Sequence, residues 1–266
     1  MNMRHAGRHS SPSSARLPAS ALAVILVVLL AGAGAAFGNQ LWIGFHGGPS
    51  VPNLSGGTNE ISEGYTSRFG PYIGIFADYV PLSSAPYLSV RGEINYSSEG
   101  GKRNGMQPLP QDPRFPLPQG VTAYARFNNE AIIDYLEIPV LAKLDWGKTI
   151  RFFVDAGPYV GFLYRAKTVW RGSSPFYQDK KGTVVLFPSQ NLDTDADIKE
   201  EINSTNFGAA GGLGVEMPYG PGDLVFDAHF AYGFTNIQKN TALNGENNTG
   251  SLAFTVGYSY PFGGRR

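Results

Sequence analysis

The most regular alternation of apolar and polar side chains runs from Tyr135 to Tyr164, YLEIPVLAKLDWGKTIRFFVDAGPYVGFLY. Successive side chains of a strand face opposite ways. Leu136, Ile138, Val140, Ala142 and Leu144 therefore share one face, and Tyr135, Glu137, Leu141 and Lys143 share the other. In the second arm Ile150, Phe152, Val154, Ala156, Val160, Phe162 and Tyr164 stand against Arg151, Asp155, Tyr159 and Arg165. Charge falls on one side of each arm. Trp146-Gly147-Lys148-Thr149 supplies a turn, with Gly147 free to adopt a positive φ. The arms exceed the roughly 5–6 residues usual in globular strands and match the roughly 9–11 tilted residues that cross a bilayer.

The same period recurs along the chain and predicts eight strands. Besides the hairpin arms they are Leu41 to Gly48, Phe69 to Val80, Tyr87 to Tyr96, Asn206 to Met217, Leu224 to Thr235 and Ser251 to Phe262. The intervening segments alternate in length. Ser50 to Arg68, Ser97 to Glu130, Ala166 to Thr205 and Asn236 to Gly250 are long, whereas Pro81 to Pro86, Trp146 to Thr149 and Pro218 to Asp223 are short. Outer-membrane barrels carry short periplasmic turns and long external loops, and an even strand number closes them. The expected fold is therefore all-β, an eight-stranded antiparallel up-and-down transmembrane β-barrel with both termini in the periplasm.

The outward rows fit contact with lipid. From Leu88 to Phe262 none carries Lys, Arg, Asp or Glu in its middle, where a charge would cost about 2–4 kcal/mol. Asp134 falls near an outer rim. Tyr79, Phe152, Tyr260 and Phe262 gather toward the short-turn ends, and Tyr96, Tyr164 and Phe234 toward the long-loop ends, as two aromatic girdles.

Composition agrees with this reading. The 34 Gly, 14 Tyr and 17 Phe, with no amphipathic helical run, fit an all-β chain. Residues 1–38 hold Arg4, Arg8, Arg16 and the apolar run Ala21 to Ala36, and end in the small-x-small site Ala36-Phe37-Gly38. This is the pattern of a secretory signal peptide, followed by a barrel domain over 39–266. Its alternative is an uncleaved anchor, for which the run is short and lacks a charged stop. There is no cysteine, which excludes a lipid-modified cysteine, a disulfide framework and thiolate chemistry. Loss of the leader would remove three of 21 basic residues and none of 21 acidic ones, leaving net −3 and no electrostatic basis for a nucleic-acid partner.

The inward faces collect the candidate functional residues. Arg91, Lys143, Arg151 and Arg165 face Glu93, Glu137, Asp155, Glu216 and Asp227, with His229 able to join either set. An eight-stranded barrel is just wide enough for its own side chains. The expected lumen is a nearly self-neutralising, salt-bridged plug rather than a catalytic or solute-conducting centre. Removing Arg91 or Glu137 is then expected to strand a buried charge, at about 3–5 kcal/mol.

Other motifs weigh less. Asp193-Thr194-Asp195-Ala196-Asp197 resembles the start of a calcium loop, but Ile198 replaces the turning Gly and Ser204 the bidentate Glu, so an acidic surface run is expected. Gly211-Gly212-Leu213-Gly214 precedes no helix, and its inward glycines leave room for long neighbours. Pro108-Leu109-Pro110 and Phe115-Pro116-Leu117-Pro118 stiffen an external loop. His46 and His229 lie on non-adjacent strands without a third ligand, so no metal and no cofactor is expected.

Tyr135 to Leu144 (YLEIPVLAKL), Gly157-Pro158-Tyr159-Val160-Gly161, Phe207 to Glu216 (FGAAGGLGVE) and Tyr232 to Ile237 together resemble the PorT-type outer-membrane β-barrel family. The resemblance implies an outer-membrane barrel with no shared catalytic residues. One branch takes part in type IX protein secretion. Phe262 is followed by Gly263-Gly264-Arg265-Arg266, whereas small barrels often finish on an aromatic residue read during assembly. The functional expectation is a non-enzymatic barrel in the cell outer membrane that displays long loops. Its partners would be outer-membrane lipid, the barrel-assembly machinery and an extracellular or secretion partner reached through the loops. A secretion accessory, a lipid-modifying enzyme and a small-solute porin are the alternatives.

Overall fold

A computed structural model describes residues 40–110, 114, 115, 117 and 121–262. The expected leader and the terminal Gly263 to Arg266 lie outside the described residues, as do Pro116 and Pro118. Eight strands form the ring: β1 (Leu41–Ser50), β2 (Gly70–Tyr79), β3 (Leu88–Pro108), β4 (Tyr124–Gly147), β5 (Arg151–Arg171), β6 (Thr205–Tyr219), β7 (Gly222–Gly233) and β8 (Asn248–Phe262). Each pairs antiparallel with its sequence neighbours. β1 pairs β8 from Leu41↔Phe262 to Ser50↔Ala253 and closes the cylinder. Closure satisfies backbone groups that an open edge would leave facing hydrocarbon.

The alternation places the side chains as the sequence predicts over the membrane-spanning region. Phe45, Ile73, Ile75, Val140, Leu144, Val154, Leu213, Phe226, Phe254 and Val256 are exposed on the outer wall. Tyr164 and Phe234 are exposed at the long-loop end, and Phe152, Tyr260 and Phe262 at the other. Gly147 takes φ 110° at the β4–β5 turn, as a tight connection there requires.

The structure departs from the expected loops. Ser97 to Glu130 is largely strand, because β3 runs 21 residues and β4 runs 24, about twice what a bilayer needs. At about 3.3 Å per residue, ten surplus residues give roughly 30 Å of extra strand. The polar run Ser97-Ser98-Glu99-Gly100-Gly101-Lys102-Arg103-Asn104-Gly105 has poor strand propensity on its own. It is held extended by unbroken pairing from Asn95↔Glu137 to Pro108↔Tyr124. Ala166 to Arg171 likewise continues β5, after which the short strands Ser173–Tyr177, Val185–Asn191 and Thr194–Asp197 extend the sheet.

A second departure is local. Asp134 pairs with Arg165 but Tyr135 pairs with Leu163, so Tyr164 is an extra residue on β5. Such a bulge reverses which side chains face inward beyond it. Ala166 and Trp170 become buried, and Arg165 turns to the outside.

Candidate functional site: the barrel interior and the loop crown

The inward side chains of β4, read upward from the short-turn end, mark the tiers of the molecule: Asp145 and Lys143, then Leu141, Glu137, Tyr135, Ile133 and Ala131, and finally Phe127 and Ala125. All are buried.

The lowest tier is ionic. Arg91 donates to both oxygens of Asp78 at 2.7 and 2.9 Å and to Asp155 Oδ2 at 3.2 Å. Its guanidinium sits 4.6 Å from the Phe76 ring centroid and 4.8 Å from that of Phe153, an arrangement that attracts a desolvated cation. Lys143 Nζ donates to Asp78 at 2.8 Å and also to Glu216, and lies 3.2 Å from Asp145. Arg151 joins Glu216 to Asp223, with bonds of 2.5 and 2.7 Å. Gly44 and Gly214 are what permit these rings, since a β-carbon at either would overlap Phe76 or Phe153. The inward glycines of β6 make the space that their sequence context predicts.

The tier above is different. Asn95 donates to Glu93 Oε2 at 2.8 Å and to the Tyr72 hydroxyl at 2.6 Å, and its Oδ1 lies 2.9 Å from His46 Nε2. Asn206 donates to Thr249 at 2.8 Å and to the Tyr159 hydroxyl at 3.3 Å. Glu137 is buried with neither oxygen hydrogen-bonded, and its electrostatic neighbours are Glu99 and Glu93. His229 Nδ1 lies 4.0 Å from Asp227 Oδ2, buried beside the Tyr72 ring and away from the lipid-facing wall.

An apolar plug closes the outer mouth. Leu54, Ile202 and Ile237, from three different loops, pack on Ala131, Ile133, Tyr135 and Ala166. The lumen is thus bounded by hydrocarbon above and ion pairs below.

These positions correct the expected charge balance. Arg165 leaves the interior set: its side chain is 51% exposed and bonds Asp134 Oδ2 on the outer side at 2.6 and 2.8 Å. Asp134 itself is fully buried at that rim and accepts from Ser98 Oγ at 2.6 Å. The sequence list also omitted Asp78, Glu99, Asp145 and Asp223, all buried. Among the described residues, nine buried inward carboxylates (Asp78, Glu93, Glu99, Glu137, Asp145, Asp155, Glu216, Asp223, Asp227) face three inward cations. Arg68 at the mouth adds a fourth, bonding Glu130 at 2.8 Å and the backbone of Glu99 at 3.2 Å. The interior is acidic, not self-neutralising. Asp78 was legible as an inward residue of β2; Glu99 was hidden because its segment reads as loop. Glu137 has no cation partner, so the cost expected for stranding one does not arise.

Above the plug, the extended strands build a crown with its own core of Leu109, Ala123, Ala125, Phe127, Trp170, Phe176 and Leu192. The loops are tied to one another. Glu60 bonds Lys180 at 2.6 Å and accepts from the Tyr124 hydroxyl at 2.7 Å, while Arg103 donates to the Glu60 carbonyl at 2.6 Å. The bond from Lys180, then that from Tyr124, holds the Glu60 carboxyl below its usual range. Asn247 donates to the Ser62 carbonyl at 3.0 Å, and Ile202 bridges Gln238. Asp179 caps the hairpin tip, accepting from Val184 N at 2.9 Å, and that backbone bond with its neighbours lowers the carboxyl's pKa. A cleft of about 1070 Å³ lies among these loops, lined by Glu60, Tyr65, Arg103, Tyr124 and Lys239 among others. The acidic run does not form a calcium loop. Thr194–Asp197 is a strand paired with β5, Asp193 accepts from Gly172 N at 2.7 Å, and Asp195 pairs Arg171 at 2.6 Å.

A closed ring of eight antiparallel strands, apolar outside and ionic within, defines a membrane-spanning β-barrel. Residues 31–239 match the family model described as outer membrane protein beta-barrel domain, and the chain belongs to that family. It is an outer-membrane protein. Three solved structures are similar to it. The attachment invasion locus protein Ail of Yersinia pestis, in complex with the heparin analogue sucrose octasulfate, is 12% identical, with 84% of this chain and 99% of that chain covered and a TM-score of 0.36. Neisserial surface protein A is 14% identical, covering 84% and 97%, with a TM-score of 0.36. A major outer membrane protein from Thermus thermophilus is 14% identical, covering 81% and 99%, with a TM-score of 0.39. The comparison with curated proteins returned no match.

Proposed function

We propose that this protein is a sealed, non-enzymatic outer-membrane barrel whose task is to hold a prefolded crown outside the cell for contact with another molecule. The crown's own apolar core is the observation that carries this reading. Strand surplus, cross-tied loops and a buried aromatic cluster reduce the entropy lost on docking, as preorganised binding surfaces do. A porin would need an open axis, and the plug and ionic tier stand across it. A lipid-modifying enzyme would need its His and acid at the outer leaflet, and His229 and Asp227 face the lumen.

The test replaces residues 173–191 with a short turn. Heat-shifted gel mobility should persist, because the ring does not depend on that hairpin, while adhesion of cells bearing the protein falls. Steady conductance of the wild-type protein in planar bilayers would instead favour a solute pathway. The motifs that resemble PorT-type barrels support that family without distinguishing its secretion branch, so a secretion-accessory role is the second reading, which co-purification with secretion components would test.

A further inference from the structure

Side-chain amides, more than charges, set the chemistry of the crown cleft. Among the described residues its carboxylates, Glu60, Asp197, Glu200 and Glu201, nearly match its cations, Arg103, Arg114 and Lys239. Amides outnumber either set, and Gln238, Asn240, Asn244 and Asn247 come from the single segment between β7 and β8. Each of these four keeps bonding capacity in reserve. The Gln238 side chain has no hydrogen-bond partner among the described residues. Asn240 Oδ1 accepts from Leu243 N at 3.2 Å, which leaves its Nδ2 to donate. Asn244 donates to Glu201 at 3.4 Å, which leaves its Oδ1 to accept. Asn247 donates to the Ser62 carbonyl at 3.0 Å, and its Oδ1 is buried without a partner.

A chain of hydrogen bonds fixes an aromatic ring in the same cleft. Trp170 Nε1 donates to Thr168 Oγ1 at 3.1 Å, Thr168 to Asn129 Oδ1 at 2.8 Å, and Asn129 Nδ2 to the Tyr65 hydroxyl at 3.3 Å. All four residues line the cleft, and Tyr65, packed on the plug, stays half-buried. Amides both donate and accept, as the hydroxyls of a sugar do, and the C–H face of a sugar ring packs on an aromatic one. An apolar ligand would leave the amides unpaired, and a polyanion would meet four carboxylates. At about 1070 Å³ the cleft reaches the top of the roughly 300–1,000 Å³ usual for small-ligand sites, so its fit is to several linked units.

We propose that the crown cleft binds an uncharged oligosaccharide, whose hydroxyls pair with Gln238, Asn240, Asn244 and Asn247 and one of whose rings packs on Tyr65. This rests on the reading of the crown as a contact surface and names the chemistry it contacts.

The full protein, in an amine-oxide detergent that has no sugar headgroup to compete, would be applied to an array of neutral and sulfated oligosaccharides and of basic peptides. Neutral oligosaccharides should be retained, and raised salt should leave that binding unchanged. Gln238→Ala combined with Asn244→Ala should weaken it roughly tenfold, and Tyr65→Leu should weaken it too. Lys102→Ala, exposed and outside the cleft, should bind as the wild type does. Heat-shifted gel mobility reports folding of each ring, and protease resistance of the Asp179 hairpin reports each crown. The proposal fails if no neutral oligosaccharide is retained, if the cleft variants bind as tightly as the wild type, or if only sulfated glycans or basic peptides are held. Residues 173–191 do not line the cleft, so the two readings separate. A silent array with adhesion lost on replacing that hairpin overturns the saccharide and leaves the crown reading standing.

Discussion

Arg91 and Asp78 stand directly opposite each other on β3 and β2, joined by two hydrogen bonds of 2.7 and 2.9 Å in the barrel interior. Arg91 also reaches Asp155, so it offsets carboxylates from two other strands. Arg91→Met should keep the bulk between Phe76 and Phe153 but strand Asp78 and Asp155. We expect a loss of about 3–5 kcal/mol in urea unfolding. Unchanged stability would mean that these carboxylates are not charged in the folded barrel.

Arg165 offers the contrast. It also pairs with a buried carboxylate, Asp134, yet half of its side chain is exposed and Ser98 donates to the same acid. Solvent screens the pair and water can reach what remains. Arg165→Ala should therefore cost only about 1 kcal/mol, well below the Arg91 variant in the same assay. A cost equal to that of Arg91→Met would put Arg165 back in the interior.

Two barriers in series separate the ends of the lumen. Ile202→Ala with Ile237→Ala opens cavities in the plug and should cost about 2–5 kcal/mol per site. It leaves the Arg91 and Lys143 network across the axis, so bilayer recordings should stay silent. Further replacement of both Arg91 and Lys143 with Ala should be required before steady current appears. Current from the plug variant alone would show that the ionic tier does not block the axis.

The crown should loosen in acid. Glu60 has its pKa depressed by Lys180 and Tyr124. Its contribution is thus fully present above the ordinary glutamate value of 4.5 and is lost as pH falls through the lower folded value. An acid-active protease should cut the Asp179 hairpin faster as pH drops below that range. Glu60→Gln should show the fast rate already at higher pH, while the barrel stays intact on gels.

Sequence alone determined the ring. Period-two alternation over eight segments set which side chains meet lipid, because a strand has only two faces and hydrocarbon tolerates no charge midway along the outer one. It also marked the short turns and most of the inward charges, from Arg91 to Asp227. Three things were decided only in three dimensions. The Ser97 to Gly105 run became strand through pairing with β4, since ladder bonds to a neighbour override weak local propensity. Arg165 turned outward through one extra residue at Tyr164, because inserting a residue inverts every side chain beyond it. The separation of the lumen into an ion-paired floor, an acidic middle and an apolar lid depended on which strands face each other across the cylinder. Face membership is written in the order of residues, whereas distance across a closed ring is fixed by register.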